Sequence, residues 1–387
     1  MFKTISNETA IVSSSAMNRS VLITGMSGCG KTYAMKQIEK SRVAEGQIVI
    51  VLDYSGSHSS SGLKQSLAPS YDLSLNRIVL AEDGLCLNLF SIPASVNEKN
   101  HKLQYVNAVG SIVEILGRGM GRRQKFALRK IVERAFAEKT PSVSDSYVLE
   151  SACKYYCELG EANSEFYQSV YDNLWEILEL DILKSKGINL KTGALNIVDY
   201  TGLNPDLKSQ ITDLIMVSLW QEVTAYKNAN TKYCIALDEC QNVSFSKGSI
   251  TRTLLTEGRK YDVSLLLATQ TLGVFPPDIR DIMFQAATTL YFKPTETDIR
   301  SIAGYIDSAA AKEWRDILSN LERGECVGCG SFEINGMLIH HPLILKTNSM
   351  YDEECTARIQ GIQSLSDNGF LEKRSVGGKI ETEYIPS

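Results

Sequence analysis

The chain lacks a long apolar run, since its longest, IVIVL at 48–52, is far too short to span a bilayer. Its first residues, MFKTISNETAIVSSS, lack a basic segment followed by an apolar core, so we expect no signal peptide. With 43% hydrophobic and 22% charged residues, the 387-residue chain can bury a large core. We therefore expect a soluble, cytoplasmic protein without a membrane span.

The sequence also lacks an excess of positive charge and a disulfide framework. Its formal net charge of −5 argues against a generally basic nucleic-acid coat, although it leaves room for a local basic channel. Its nine cysteines are an odd number without small-domain spacing, which favours reduced thiols. Neither feature identifies an activity, so the prediction of function depends on motifs.

The segment GMSGCGKT, residues 25–32, is the strongest motif. It follows the apolar run VLI and precedes YAMKQIEK, which has the composition of a helix, so it predicts a strand, a phosphate-binding P-loop and a helix. Backbone N–H groups would bind phosphate oxygens, Lys31 would reach the β- and γ-phosphates, and the Thr32 hydroxyl would hold Mg²⁺. The predicted nucleotide-binding residues are Gly25, Ser27, Gly28, Cys29, Gly30, Lys31 and Thr32.

Short β-branched runs alternate with helical stretches, which predicts an α/β fold with a mostly parallel sheet. The predicted strands lie at 21–24, 48–52, 77–80, 195–199, 233–237, 263–268 and 289–292. Between about residues 92 and 187 the strand pattern stops and helical spacing replaces it, which predicts an all-helical insertion. The predicted parts are a short N-terminal segment without a strand (1–20), the two parts of the core (21–91 and 188–348), the insertion (92–187), and a C-terminal helix with a loose tail (349–387).

Three predicted strands end in an aspartate that could hold magnesium: Asp53, Asp199 and Asp238. The first two also match the D-x-x-G pattern of GTPases, but the N-K-x-D motif that reads guanine is missing downstream. Asp238 is followed directly by Glu239, and a hydrolase needs one acid for the metal and one to orient water. We therefore predict that Asp238 is the metal residue and Glu239 is the catalytic one.

The segment TEGRKYDVSLLLATQ contains two further predicted catalytic residues. Gln270 follows the predicted strand at the same end as Asp238, where it could sense the γ-phosphate. Arg259 precedes that strand, so it would lie far from its own nucleotide and could reach that of a neighbouring subunit. This predicts an arginine finger in trans, with a solvated basic turn as the alternative.

The segment GRGMGRRQKFALRK, residues 117–130, contains six basic residues and no acid. We call it the basic segment, and we expect it to open a helix near Arg122. Basic residues at a helix N-terminus oppose the helix dipole, so an anion there would be favourable. The candidate DNA contacts are Arg122, Arg123 and Lys125, with a neighbour's acidic face or a solvated surface as alternatives. We do not expect base stacking, because the segment offers no aromatic platform.

As an ordered set, these motifs resemble the HerA/FtsK superfamily of ring ATPases, especially HerA and the ATPases of type IV secretion systems. The matching segments, in family order, are GMSGCGKT, IVIVLDYSG, NIVDYTGL, ALDECQN, EGRKYDVSLLLATQ and LERGECVGCG, and they cover roughly residues 20–345. The resemblance implies a RecA-like core, hexameric rings, ATP and Mg²⁺ bound between subunits, and translocation of DNA or protein. It assigns Lys31, Thr32, Asp238, Glu239, Gln270 and Arg259 the roles given above. HerA proteins have an N-terminal β-barrel before this core, and here only about twenty residues precede the first predicted strand.

The predicted function is an ATP-hydrolysing ring motor that translocates DNA. The alternatives are a nucleotide-gated regulatory ATPase that controls a partner nuclease or effector, and a motor that moves proteins. DNA-stimulated turnover would favour the motor. Cys326 and Cys329 resemble half of a zinc site, and the sequence leaves zinc binding open.

Overall fold

The computed structural model describes residues 2–13, 18–58, 74–85, 87–92, 98–159, 164–184, 190–226, 231–347, 371–376 and 379–384. Within these ranges, the strands are β1 (Phe2–Thr4), β2 (Thr9–Val12), β3 (Val21–Thr24), β4 (Ile48–Asp53), β5 (Leu75–Val79), β6 (Leu195–Asp199), β7 (Tyr233–Leu237), β8 (Val263–Thr269), β9 (Thr288–Phe292), β10 (Glu325–Cys329), β11 (Phe332–Ile334), β12 (Met337–Ile339), β13 (Leu343–Thr347), β14 (Leu371–Val376) and β15 (Lys379–Tyr384).

The helices of the described residues connect the strands and form the insertion. They are α1 (Lys31–Ala44), α2 (Leu80–Asp83), α3 (Glu98–Leu116), α4 (Arg122–Glu138), α5 (Asp145–Glu158), α6 (Ser164–Glu179), α7 (Pro205–Tyr226), α8 (Ile250–Glu257), α9 (Pro277–Met283), α10 (Glu296–Ile306) and α11 (Ala311–Asn320). Among the described residues, every helix is too short or too polar to cross a lipid bilayer.

The described residues form a 13-stranded sheet whose parallel part has the strand order β9–β3–β8–β7–β4–β6–β5. These seven strands are the seven that the sequence predicts. Every residue of β4 is buried, and its alternate side chains enter two cores on opposite faces of the sheet. Ile50 and Leu52 join one core, whereas Val49 and Val51 join the other. This burial on both faces explains why the parallel strands are continuous apolar runs.

Antiparallel strands extend the sheet beyond β9, in the order β10, β13, β1, β2, β11 and β12. The expectation that residues 1–20 contain no strand is therefore wrong. Phe2 in β1 is fully buried and lies opposite Thr347 of β13. A strand near the start of the chain therefore pairs with a strand near residue 345. Strands of three or four residues are too short to show a clear periodic pattern in the sequence.

The described residues between 98 and 184 contain helices α3 to α6 and no strand. α5 packs against both α4 and α6, and α3 packs against α4 and α7. At the C-terminal end, β14 and β15 pair as an antiparallel hairpin, so the expected loose tail contains a strand. The helix expected after residue 349 falls mostly in 349–370, outside the described residues.

Candidate functional site

The P-loop connects β3 to α1, at the carboxyl end of the parallel strands. We call this end of the sheet, with the segments that follow β3, β4, β7 and β8, the nucleotide edge. Gly25 has φ +149°, and a Cβ atom there would lie 2.6 Å from Cβ of Phe292 on β9. Gly30 has φ +115° and caps α1, and a Cβ atom there would lie 3.2 Å from Cα of Gly324. Only glycine fits these two positions without strain, so local sterics require the glycines of the motif.

The other P-loop residues lie around the start of α1. Ser27 and Gly28 are exposed, whereas Cys29 is buried and its thiol donates to the carbonyl oxygen of Met26 at 2.7 Å. The Lys31 amino group donates to the same carbonyl at 2.9 Å, so it lies across the loop. The first turn of α1 contains no acidic residue, and its free N–H groups attract an anion.

The Thr32 hydroxyl donates to Oδ2 of Asp238 at 3.3 Å, which joins the P-loop helix to the end of β7. Burial and the adjacent Glu239 carboxylate raise the pKa of Asp238. Hydroxyl and carboxylate oxygens are the ligands that Mg²⁺ prefers, and a cation beside Asp238 would favour the charged form that burial disfavours. The residues present therefore fit a magnesium ion.

The Glu239 carboxylate is held by two amide side chains. Nε2 of Gln270 donates to its Oε1 at 2.8 Å, and Nε2 of Gln241 donates to its Oε2. The Thr269 hydroxyl in turn donates to Oε1 of Gln241 at 3.0 Å. Glu239 has the left-handed backbone angles φ 63° and ψ 51°, which cost roughly 1–3 kcal/mol and occur preferentially at functional sites. The strain and the two amides together fix the direction of the carboxylate.

The two rival aspartates have other partners. Asp53, at the end of β4, accepts hydrogen bonds from the backbone N–H groups of Ser57 and His58, both at 3.0 Å. Asp199, at the end of β6, accepts one from Nε of Arg77 at 3.1 Å. Both carboxylates therefore shape local structure, whereas Asp238 faces the P-loop helix.

Arg259 is exposed in a short 3-10 helix, Gly258–Tyr261, that precedes β8. Gln270 follows the other end of β8, so the two residues are separated by the length of the strand, roughly 20 Å at 3.3 Å per residue. Lys260 pairs with Glu257 at 3.4 Å, but no ion pair to Arg259 occurs within the described part of the chain. Arg259 thus lies at the edge of the sheet opposite the P-loop of its own chain.

The basic segment opens α4 at Arg122, as expected, but about half of its charges have acidic partners on the described helices. Arg118 contacts the buried Asp213 of α7, and Lys125 pairs with Glu114 of α3 at 2.6 Å. Lys130 lies 3.4 Å from the Glu133 carboxylate. The sequence within 117–130 could not reveal these partners, because they belong to other elements or follow the segment.

Arg122 and Arg123 are exposed, and the Arg123 guanidinium lies 5.6 Å from the ring centre of Phe166 on α6. Phe126 is 61% exposed, and the Lys130 amino group lies 5.9 Å from its ring centre. Phe126 is therefore one exposed aromatic ring on the same helix as Arg122 and Arg123, which corrects the statement that the segment offers no aromatic platform, while the expected lack of base stacking stays a prediction.

Cys326 is fully buried on β10, and Cys329 is largely buried at the end of the same strand. The His340 ring lies 3.3 Å from the Ser331 hydroxyl. Among the described residues, no group of three or more His, Cys, Asp or Glu side chains is arranged to hold a metal ion. The fold thus accounts for both cysteines as parts of a strand.

Sequence reasoning did not select Gln241, Ser57 or His58, although all three contact residues of the nucleotide edge. Each lies within five residues of an aspartate that ends a predicted strand. Their position after predicted strands could have identified them, because polar residues that follow parallel strands meet at one edge of the sheet.

Comparison with solved structures finds 77 chains that match this one. VirB4 of Thermoanaerobacter pseudethanolicus matches with a TM-score of 0.63 at 16% identity, covering 88% of this chain and 93% of VirB4. The bacterial conjugative coupling protein TrwB matches with a TM-score of 0.55 at 13% identity, covering 86% of each chain. TrwB is also solved with the ATP analogue ADPNP and with ADP and Mg²⁺.

No protein-family model matches the chain, and no curated protein does. At these identities, the likeness to VirB4 and TrwB concerns the fold. Both matches cover more than four-fifths of the chain, so they include at least part of the helical insertion as well as the core. This protein therefore has the P-loop α/β fold of VirB4 and TrwB, which is the fold that its resemblance to the HerA/FtsK ATPases predicts.

Proposed function

We propose that this protein is a magnesium-dependent ATP hydrolase that assembles into a homo-oligomeric ring, of which a hexamer is the expected form, and translocates DNA. The observation that supports hydrolysis is the convergence of Thr32, Asp238 and Glu239 next to the P-loop. TrwB, which has the same fold, binds an ATP analogue and ADP with Mg²⁺.

The P-loop N–H groups and the N-terminus of α1 bind the phosphates, and Lys31 moves its amino group from the Met26 carbonyl to the β- and γ-phosphates. Thr32 and Asp238 hold Mg²⁺. When bound, the ion neutralises charge on the phosphate oxygens. Because Thr32 contacts Asp238, the phosphates would bind between the P-loop helix and the end of β7.

Glu239 orients the attacking water and accepts its proton. Gln270 and Gln241 limit the motion of the carboxylate, because each donates an N–H to one of its oxygens. Gln270 lies between the acidic pair and the P-loop strand in the sheet order, so it can also respond to the γ-phosphate. The site thus has separate groups for the metal, the water and the sensing of ATP.

Arg259 completes the site of a neighbouring subunit. Its exposure, and its position a strand length from its own P-loop, agree with a finger in trans and not in cis. Such an arginine stabilises charge on the transferring phosphoryl group. ATP bound between subunits would therefore couple hydrolysis to motion in the ring.

DNA is the proposed substrate of the motor, with Arg122, Arg123 and Lys125 as contacts. The two exposed arginines at the start of α4 support a phosphate contact, and TrwB is a conjugative coupling protein. Lys125 would have to leave Glu114 to bind DNA, so we expect it to contribute least. The proposal also includes a partner protein of the motor, namely a nuclease or another effector.

The test measures ATP hydrolysis by the wild-type protein and by Lys31→Ala, with and without DNA. We expect magnesium-dependent hydrolysis that DNA stimulates, and its loss in Lys31→Ala. Slow turnover that ignores DNA would favour the regulatory ATPase, and stimulation by a protein partner alone would favour protein transport. Hydrolysis that persists unchanged in Lys31→Ala would contradict the assigned site.

A further inference from the structure

Residues 53–58, which comprise the last residue of β4 and the segment that follows it, form a turn beside Thr32 and Asp238. Asp53 fixes this turn, because its Oδ1 accepts from the Ser57 N–H and its Oδ2 accepts from the His58 N–H. The Lys36 amino group of α1 donates to the Ser57 carbonyl at 2.7 Å. The turn is therefore attached both to its own strand and to the P-loop helix.

His58 is the last residue of the turn, and its side chain is completely buried. Its Nε2 lies 2.9 Å from Oε2 of Glu39 on α1, and its Nδ1 lies 3.6 Å from Oδ1 of Asp53. Burial lowers the pKa of His58, but the Glu39 and Asp53 carboxylates outweigh it and raise the pKa to about 10. Carboxylates of α1 and β4 thus hold the ring on both of its nitrogens, which fixes the position of the turn.

The geometry that results concerns the Ser57 hydroxyl. Its Oγ lies 3.4 Å from Oδ2 of Asp238, the same oxygen that accepts from the Thr32 hydroxyl. Within its own turn, the same Oγ lies 3.1 Å from Nδ1 of His58 and 3.3 Å from Oδ1 of Asp53. Two hydroxyl groups, from different elements, thus flank one carboxylate oxygen at the magnesium position.

We propose that Ser57 supplies a third oxygen at the magnesium site, beside Thr32 and Asp238, and that His58 positions it. This inference rests on the proposed ATP hydrolysis. Magnesium in proteins usually keeps several waters and uses few protein ligands, so a hydroxyl that holds one of these waters contributes to its affinity. Ser57 binds the hydrated ion, and His58 acts through Ser57.

The test compares Ser57→Ala with Ser55→Ala, because Ser55 is an exposed serine of the same turn. One readout is the affinity for a fluorescent ATP analogue in EDTA and in Mg²⁺, and the other is the magnesium concentration for half-maximal hydrolysis. For Ser57→Ala we expect unchanged affinity in EDTA, a smaller enhancement by Mg²⁺ than in the wild type, and a magnesium requirement raised about 10-fold or more. Ser55→Ala should behave as the wild type.

His58→Gln should shift the magnesium requirement in the same direction as Ser57→Ala. If it only lowers the melting temperature and keeps the wild-type magnesium dependence, the positioning role is wrong. If Ser57→Ala matches Ser55→Ala in both readouts, the third oxygen is wrong, although the proposed function stands. If Mg²⁺ leaves the wild-type affinity for the analogue unchanged and no hydrolysis occurs, the proposed function fails, and this inference fails with it.

Discussion

The nucleotide edge and the basic segment are the two regions where the sequence concentrates candidate functional side chains, and they differ in how these side chains meet. At the nucleotide edge, Thr32, Asp238 and Gln270 are far apart in the chain, yet hydrogen bonds link them directly or through Glu239. The basic segment is contiguous, yet acids of other helices pair with two of its charges. The ends of neighbouring parallel strands thus predict which polar side chains meet better than closeness in sequence does.

The largest expected effect is on the rate of ATP hydrolysis, and it tests whether Arg259 acts at the nucleotide edge of a second subunit. Arg259→Ala should bind ATP nearly as the wild type does and hydrolyse it about 10³-fold more slowly, because the neighbour's transition state loses a charge. Mixing it with Lys31→Ala should recover part of the activity, since some interfaces then combine an intact P-loop with an intact Arg259. The measurement is steady-state hydrolysis over a range of mixing ratios.

Lys260→Ala is the matched control, because Lys260 is exposed beside Arg259 and pairs with Glu257. It should hydrolyse ATP as the wild type does. Subunit exchange must be verified by co-purification of differently tagged chains. With exchange verified, a complete lack of recovery at every ratio would rule out the finger in trans.

A smaller effect is expected in the basic segment, where Lys125 has an acidic partner and the exposed Arg122 and Arg123 are the stronger candidates for DNA contact. Replacing Arg122 and Arg123 by alanine should weaken DNA binding about 10-fold and lower the slope of log K against log salt by about 2, since two phosphate contacts are lost. Lys125→Ala should change the slope less, because Lys125 pairs with Glu114. The measurement is DNA affinity by fluorescence anisotropy at several salt concentrations.

Lys154→Ala serves as the control for charge alone, since Lys154 is exposed on α5 and pairs with Glu150 at 2.6 Å. It should leave the affinity and the salt slope unchanged. If the double arginine variant also behaves as the wild type, the start of α4 is a solvated surface and the DNA contact lies elsewhere.

The smallest expected effect is on the free energy of unfolding and concerns Arg118. This residue of the basic segment contacts Asp213 of α7. Arg118→Ala leaves Asp213 buried without its cation and should lower the free energy of unfolding by about 1 kcal/mol, because the arginine is partly exposed. Lys130→Ala should change it by less than about 0.5 kcal/mol, since its pair with Glu133 is on the surface. Urea denaturation measures both, and equal values would contradict this distinction.

Much of the fold follows from local sequence, since buried runs such as β4 and the glycine spacing of the P-loop have direct physical causes. The antiparallel strands do not follow from local sequence. β1, for example, is a strand because it pairs with β13, more than 300 residues away. In the site, the acidic pair was predictable from Asp238 and Glu239 in one motif. The contacts of Gln241 and Ser57 depend on how separate elements pack, and no local pattern in the sequence encodes that.

The most direct test of the nucleotide edge is the fate of ATP bound to Glu239→Gln. The substitution keeps the shape of the side chain but removes the carboxylate that orients water. Incubation with labelled ATP and Mg²⁺, followed by separation of the bound nucleotides, should find ATP bound as in the wild type but turnover at least about 10²-fold slower. Glu257→Gln, at an exposed site, should hydrolyse ATP normally. Wild-type turnover by Glu239→Gln would contradict the account, because the acid fixed by Gln241 and Gln270 would then not be the catalytic one.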